Sequence, residues 1–153
     1  MSAANEFLQK RMQKFTWDQS VDGNLANNTS TPIGTLPKGA LITGGAIHVV
    51  TDCVDSDAGD DSTIAVGYTG ATTAFWAATA VSVLETGKLL ALLPGQATLG
   101  DDAAHNTAAE VAELVDASWI LLDGDKKVLL TTGDDVAITA GKINVFVEYY
   151  ISA

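Results

Sequence analysis

The sequence predicts a mainly β fold, an antiparallel β-sandwich or barrel with at most one short helix. Two observations carry that reading. Apolar and polar residues alternate with period two through the last third of the chain, and short strand-like runs follow one another at close spacing, separated by turns built on Gly and Asp. Size sets the bound: 153 residues, 47% hydrophobic and 18% charged, suit one domain. A chain of that length buries roughly 68–70% of its unfolded surface and needs neither metal nor disulfide to hold a core.

Taken in order, residues 1–14 hold Lys10, Arg11 and Lys14 against Glu6, a net charge of +2, whereas the remainder carries −13. This stretch reads as a basic, apolar N-terminal arm. Phe7, Leu8, Met12, Phe15 and Trp17 would anchor it on another surface, and Lys10, Arg11 and Lys14 would meet carboxylates there. The plainer alternative is a first strand with a frayed end. Residues 18–31, DQSVDGNLANNTST, read as a connecting loop. Two parts follow: an arm and linker over 1–30, and a sandwich body over 31–153.

Within the body, Thr35-Leu36-Pro37-Lys38-Gly39 is a turn. Ala40–Val54 is a long strand bent at Gly44-Gly45, and Ser56–Asp61 is an acidic loop. Thr63–Thr69 alternates as a strand, with Ile64, Val66 and Tyr68 on one face. Gly70–Leu84, Ala- and Thr-rich around Phe75-Trp76, fits either a loop or an irregular strand. Gly87–Leu93 is short and closed by Pro94-Gly95. Asp101–Ala117 is the helix candidate, with a capping box from Thr107 to Glu110 and Val111, Leu114 and Val115 at helical spacing. Trp119–Leu122 and Lys126–Thr132 read as a hairpin about Asp123-Gly124. Val136–Thr139 and Lys142–Ile151 follow, joined by a turn at Ala140-Gly141. In the last strand Ile143, Val145, Val147, Tyr149 and Ile151 share one face, and Asn144, Phe146, Glu148 and Tyr150 the other.

Charge and composition exclude whole classes of function. A net charge of −11 argues against a nucleic-acid partner, which would need a basic face, and against adhesion to an anionic membrane. Cys53 is the single cysteine, so no internal disulfide forms. The N-terminus has no apolar run of about 7–15 residues before a cleavage site, and no stretch approaches the ~20 apolar residues of a spanning helix. The expectation is a protein made in a cytoplasm that stays soluble.

Chemical motifs fail one by one, and the reading is of a non-enzyme without cofactor or metal. Gly39-Ala-Leu-Ile-Thr-Gly44-Gly45-Ala46 has the glycines of a phosphate loop but lacks its Lys and Ser/Thr. No nucleophile elbow is present. His48 lies mid-strand, His105 sits in a polar turn, and no spacing joins them into a metal site. Asp52, Asp55, Asp57, Asp60 and Asp61, the pair Asp101-Asp102, and the pair Asp134-Asp135 fall in surface loops with nothing to keep one acid protonated. Oxygen ligands from Asp55–Asp61 could hold Ca²⁺, but that loop lacks the Gly at its sixth place and the Glu at its twelfth. Phe75-Trp76 fits a sugar-stacking platform, an intersubunit anchor or a core pair.

Two stretches resemble small virion proteins of tailed bacteriophages. One is Thr35-Leu-Pro-Lys-Gly-Ala-Leu-Ile-Thr-Gly44 with the acidic loop and Thr-Ile-Ala-Val-Gly67 that follow. The other is the ending Asp135-Val-Ala-Ile-Thr-Ala-Gly-Lys-Ile-Asn-Val-Phe-Val-Glu-Tyr-Tyr-Ile151. The resemblance covers residues 31 to the end and implies a head decoration (cement) protein. It further implies a jelly-roll-like β-sandwich on the capsid exterior, clamping neighbouring subunits of the major capsid protein and assembling with itself as a trimer or a dimer. It brings no catalytic residues. The competing expectation is a receptor- or glycan-binding module of a head or tail fibre, with its site at Phe75-Trp76.

Overall fold

The computed structural model describes residues 7–57, 59–92, 119–133 and 136–152. Within the described residues, nine strands form two antiparallel sheets. They are β1 (Leu8–Asp18), β2 (Ser30–Leu36), β3 (Leu41–Asp55), β4 (Thr63–Tyr68), β5 (Ala71–Ala80), β6 (Leu89–Ala91), β7 (Ile120–Leu121), β8 (Lys126–Gly133) and β9 (Ile138–Ser152). A single helical turn, α1 (Gln19–Asp22), and a 3₁₀ turn at Val81–Val83 complete the described elements. The helix candidate at Asp101–Ala117 lies outside the described residues.

Pairing is nested. β4 pairs with β5, β3 with β6 and β7, β2 with β8, and β1 with β9. The chain is thus a long antiparallel ribbon whose tip is the β4–β5 hairpin. Folding that ribbon on itself brings β9 against β3 and β8 against β4, so one sheet runs β1-β9-β3-β6, with β7 also on β3, and the other β2-β8-β4-β5. This strand order is that of a jelly roll.

Burial follows the period-two pattern of the last strand. Ile143, Val145, Val147 and Tyr149 face the core, while Asn144, Phe146, Glu148 and Tyr150 lie on the outer face. Ile42, Ile47 and Val49 of β3 join them from the same sheet, and Ile64, Val66, Phe75, Val128 and Leu130 from the other. Residues 71–80 are a strand, which resolves the Ala/Thr-rich segment: Phe75 is fully buried and its ring meets that of Tyr68 at 5.5 Å.

Three sequence expectations are corrected. Residues 8–18 are no free arm. β1 pairs with β9 without a register break from Leu8–Ser152 to Asp18–Lys142, and Phe15 and Trp17 are 4% and 1% exposed in the common core. The connecting segment is stapled too, since Leu25 exchanges backbone hydrogen bonds with Ile138 and is itself buried. A boundary at residue 30 therefore cuts through the packing, because a strand needs a partner for its amides and its apolar face alike. Second, Ala140-Gly141 is no turn, as β9 runs unbroken through it. Gly141 takes φ +134° where β3 bulges, and a Cβ there would meet Cys53 Sγ at 2.8 Å. Third, Asp123-Gly124 does not close a hairpin, for β7 pairs with β3 in one sheet and β8 lies in the other.

The acidic β3–β4 connection is held by its own carboxylates. The Ser62 amide donates to Asp55 Oδ2 at 3.0 Å and the Asp57 amide to Asp55 Oδ1 at 3.1 Å. The Gly59 amide donates to Asp57 Oδ1, and the Asp55 amide to Asp60 Oδ1. Burial of Asp55 on its own would raise its carboxyl, but the Ser62 and Asp57 donors outweigh that and hold it below the ordinary carboxylate value.

Deleting residues 1–17 removes Phe15 and Trp17 from the core and should abolish cooperative unfolding, and Trp17→Ala alone should cost about 3–5 kcal/mol in urea titrations. Deleting residues 1–12 should leave a cooperative transition. Asp55→Ala strips the Ser62 and Asp57 amides of their acceptor, an expected loss of about 1–3 kcal/mol at neutral pH. Because the folded carboxyl titrates low, its contribution is complete above about pH 4 and drains away as pH falls through the lower folded value. The gap in unfolding midpoint between parent and Asp55→Ala should therefore narrow in acid.

Candidate interaction surface

The eight residues assigned to the arm divide in two. Phe15 and Trp17 point into the core, where the Trp17 indole N–H also donates to the Gly23 carbonyl at 3.2 Å, and so they cannot anchor a partner. Phe7, Leu8 and Met12 are 77%, 53% and 60% exposed, and Lys10, Arg11 and Lys14 are exposed with them. From Leu8 to Met12 every residue of β1 is exposed, so this half of the strand keeps β9 as its neighbour but projects past the cover of the second sheet.

On the outer face of the five-stranded sheet the cross-strand register sets residues in rows. Lys10 lies opposite Tyr150, which lies opposite Leu41, which lies opposite Leu121. One row on, Met12 is opposite Glu148. Lys10 Nζ bridges to Glu148 Oε2 at 3.2 Å, and Thr43 Oγ1 donates to Glu148 Oε1 at 3.1 Å. Leu8, Leu41, Thr43, Trp119, Glu148 and Tyr150 line a hollow of about 400 Å³. Trp119 and Leu121 are 64% and 68% exposed. Aromatic and aliphatic surface of this kind, ringed by charge, marks a binding face.

Trp119, Leu121 and Leu41 escaped the sequence reading. Their signal was partly present, since Trp119 and Leu121 alternate, but the reading of that run as half of a hairpin hid which sheet face they share. The outward placement of Phe146 and Tyr150 was legible from the alternation in β9.

Groups with chemical potential are spent on structure. The Cys53 thiol is buried, and burial with the nearby Asp52 carboxylate pushes it up to about 12, so it stays protonated at neutral pH. Asp52 accepts from both the hydroxyl and the amide of Thr86, which hold its carboxyl low. Asp18 accepts from Ser20 and pairs with Lys142 at 2.9 Å, and both hold it below the ordinary value. His48 sits on the outer face opposite Asn144 and Leu89, in a strand role. Asp55, Asp57 and Asp61 offer oxygens within 4.8 Å of one another, the spacing of an oxygen-liganded cation, yet Asp55 and Asp57 already accept loop amides. Asp101, Asp102, His105, Asp134 and Asp135 lie outside the described residues. Phe75 is fully buried and Trp76 packs partly against the core, so the two rings do not present one shared stacking platform.

No protein-family model matches the chain, and no curated protein sequence does. Solved structures do share its fold. A chain of the cyanophage Pam1 capsid asymmetric unit superposes with a TM-score of 0.57 at 18% identity, over 99% of this chain and 92% of that one. A chain of the capsid of Ralstonia phage GP4 superposes with a TM-score of 0.56 at 15% identity, over 100% and 91%. At these identities the likeness is one of fold. The chain is thus similar, from end to end, to chains of nearly its own length found in two bacteriophage capsids.

Proposed function

We propose that this protein is a structural component of a bacteriophage capsid, bound to the outside of the particle, where it bridges neighbouring shell subunits and stabilises them. The observation that carries the reading is the end-to-end likeness to capsid chains, joined to an outer sheet face that leaves Leu8, Trp119 and Leu121 uncovered. Its partners on this reading are the major capsid protein and further copies of itself, a trimer before a dimer.

Charge supports the exterior. A body of net charge −11 would be repelled by packaged nucleic acid, whereas on the outer surface it keeps particles from associating. Added contact across subunit boundaries is what a shell under internal pressure gains from such a protein, and rigid β-structure supplies it without an ordering cost at binding. No catalytic role is proposed. Among the described residues the single thiol is buried and protonated, and the Asp52 and Asp55 carboxylates are engaged by neighbouring amides and hydroxyls.

Particles assembled without this protein should take it up saturably in co-sedimentation, and the loaded particles should release their nucleic acid at a higher temperature in a thermal melt. Trp119→Ala with Leu121→Ala should weaken uptake by tenfold or more, as truncation of central apolar anchors does, while leaving urea unfolding nearly unchanged. Absence of any uptake by such particles would refute the assignment.

A further inference from the structure

The described strands end their sheets in different ways. β2 carries Pro32, Gly34 and a register break between them. β5 slips register against β4 twice. β6 and β7 are three and two residues long. Short, bulged or Pro-bearing edges resist pairing with a foreign strand. β1 is the exception: eleven residues, no Pro, no Gly, and an unbroken register against β9 that holds it straight. It closes its sheet on one side, so the backbone groups not turned to β9 face outward.

The side chains say what such an edge would accept. Along one face Leu8, Lys10, Met12 and Lys14 alternate apolar and basic, and Arg11 stands on the other. Lys10 is paired with Glu148, but Lys14 and Arg11 have no carboxylate partner among the described residues, and Arg11 donates to Gln9. A second β1 laid antiparallel about Met12 would set Lys10 against Lys14, and one laid parallel in register would set each basic residue against its own copy, so like charge disfavours self-pairing. The complement is a strand whose side chains on one face are in turn apolar and acidic, with a further carboxylate on its other face opposite Arg11.

Resting on the capsid reading above, we propose that the free edge of β1 takes up an extended acidic segment of a shell protein as an additional strand. Main-chain hydrogen bonds to β1 supply the hold, and carboxylates opposite Lys14 and Arg11, with apolar side chains opposite Leu8 and Met12, select the segment. The strand is already ordered by β9, so binding orders only the incoming segment.

Hydrogen exchange on the full chain, free and bound to particles assembled without it, tests this. Bound protein should show the outward amides of Leu8–Asp18 slowed at least tenfold, with those of β8 unchanged. Arg11→Glu with Lys14→Glu should weaken uptake by the particles at least tenfold with an unaltered unfolding midpoint, while Lys127→Glu, exposed on the other sheet, should not. Protein that binds particles with unaltered β1 exchange overturns strand addition but leaves the capsid role standing, whereas no binding at all defeats that role. Protection that grows with protein concentration without particles assigns the edge to a second copy, and protection already complete in the dilute free chain assigns it to the same chain. Either result also overturns the proposal.

Discussion

β9 is the strand on which the molecule depends. Fifteen residues long, it pairs with β1 on one side and β3 on the other while its inward side chains fill the core. With a neighbour on each side and Ile143, Val145, Val147 and Tyr149 buried on one face, a slip of one residue would turn that whole set outward, so the register is fixed. That commitment holds the first and last strands together and makes the N-terminal segment part of the fold. Trp17 records the consequence: its ring is enclosed by residues far away in sequence, among them Cys53 and Gly141.

Nested pairing also determines which surfaces remain for other molecules. The inner faces are used up by the two sheets packing on each other. The outer faces stay open, and that of the five-stranded sheet, with β1 where it runs past the second sheet, holds Leu8, Trp119 and Leu121 exposed. Leu8, Trp119 and Leu121 there are largely exposed, and association would remove their apolar surface from water. The basic residues of β1 sit at the margin of this face, on a body that is otherwise strongly acidic. Attraction to acidic surfaces is thereby concentrated at one end of the molecule, and the remainder repels them.

The acidic residues have a different task. Asp18, Asp52 and Asp55 accept hydrogen bonds from nearby amides and hydroxyls and so replace repeating secondary structure where the chain turns. Carboxylates held in this way stay ionised and rigid, which suits a loop staple and not a proton donor. Among the described residues these carboxylates therefore hold the protein's own shape.

Local pattern was sufficient for the strand class, for the inward and outward faces of β9, and for the turn at Pro37–Gly39, though Thr35 and Leu36 before it belong to β2, because alternation and turn chemistry act over a few residues. The contrast between the basic Lys10, Arg11 and Lys14 and the acidic remainder was likewise visible in the sequence alone. Other features needed the tertiary structure. Whether Phe15 and Trp17 anchor a partner or a core depends on β9, more than a hundred residues away, and nothing near them in sequence reports it. Gly141 looked like a turn because glycine marks turns, but here it makes room for β3. Trp119 and Leu121 became a surface only when β7 joined β3 instead of β8. In each case the deciding contact joins strands distant along the chain, and the cost of bringing them together is met by a core that no single segment contains.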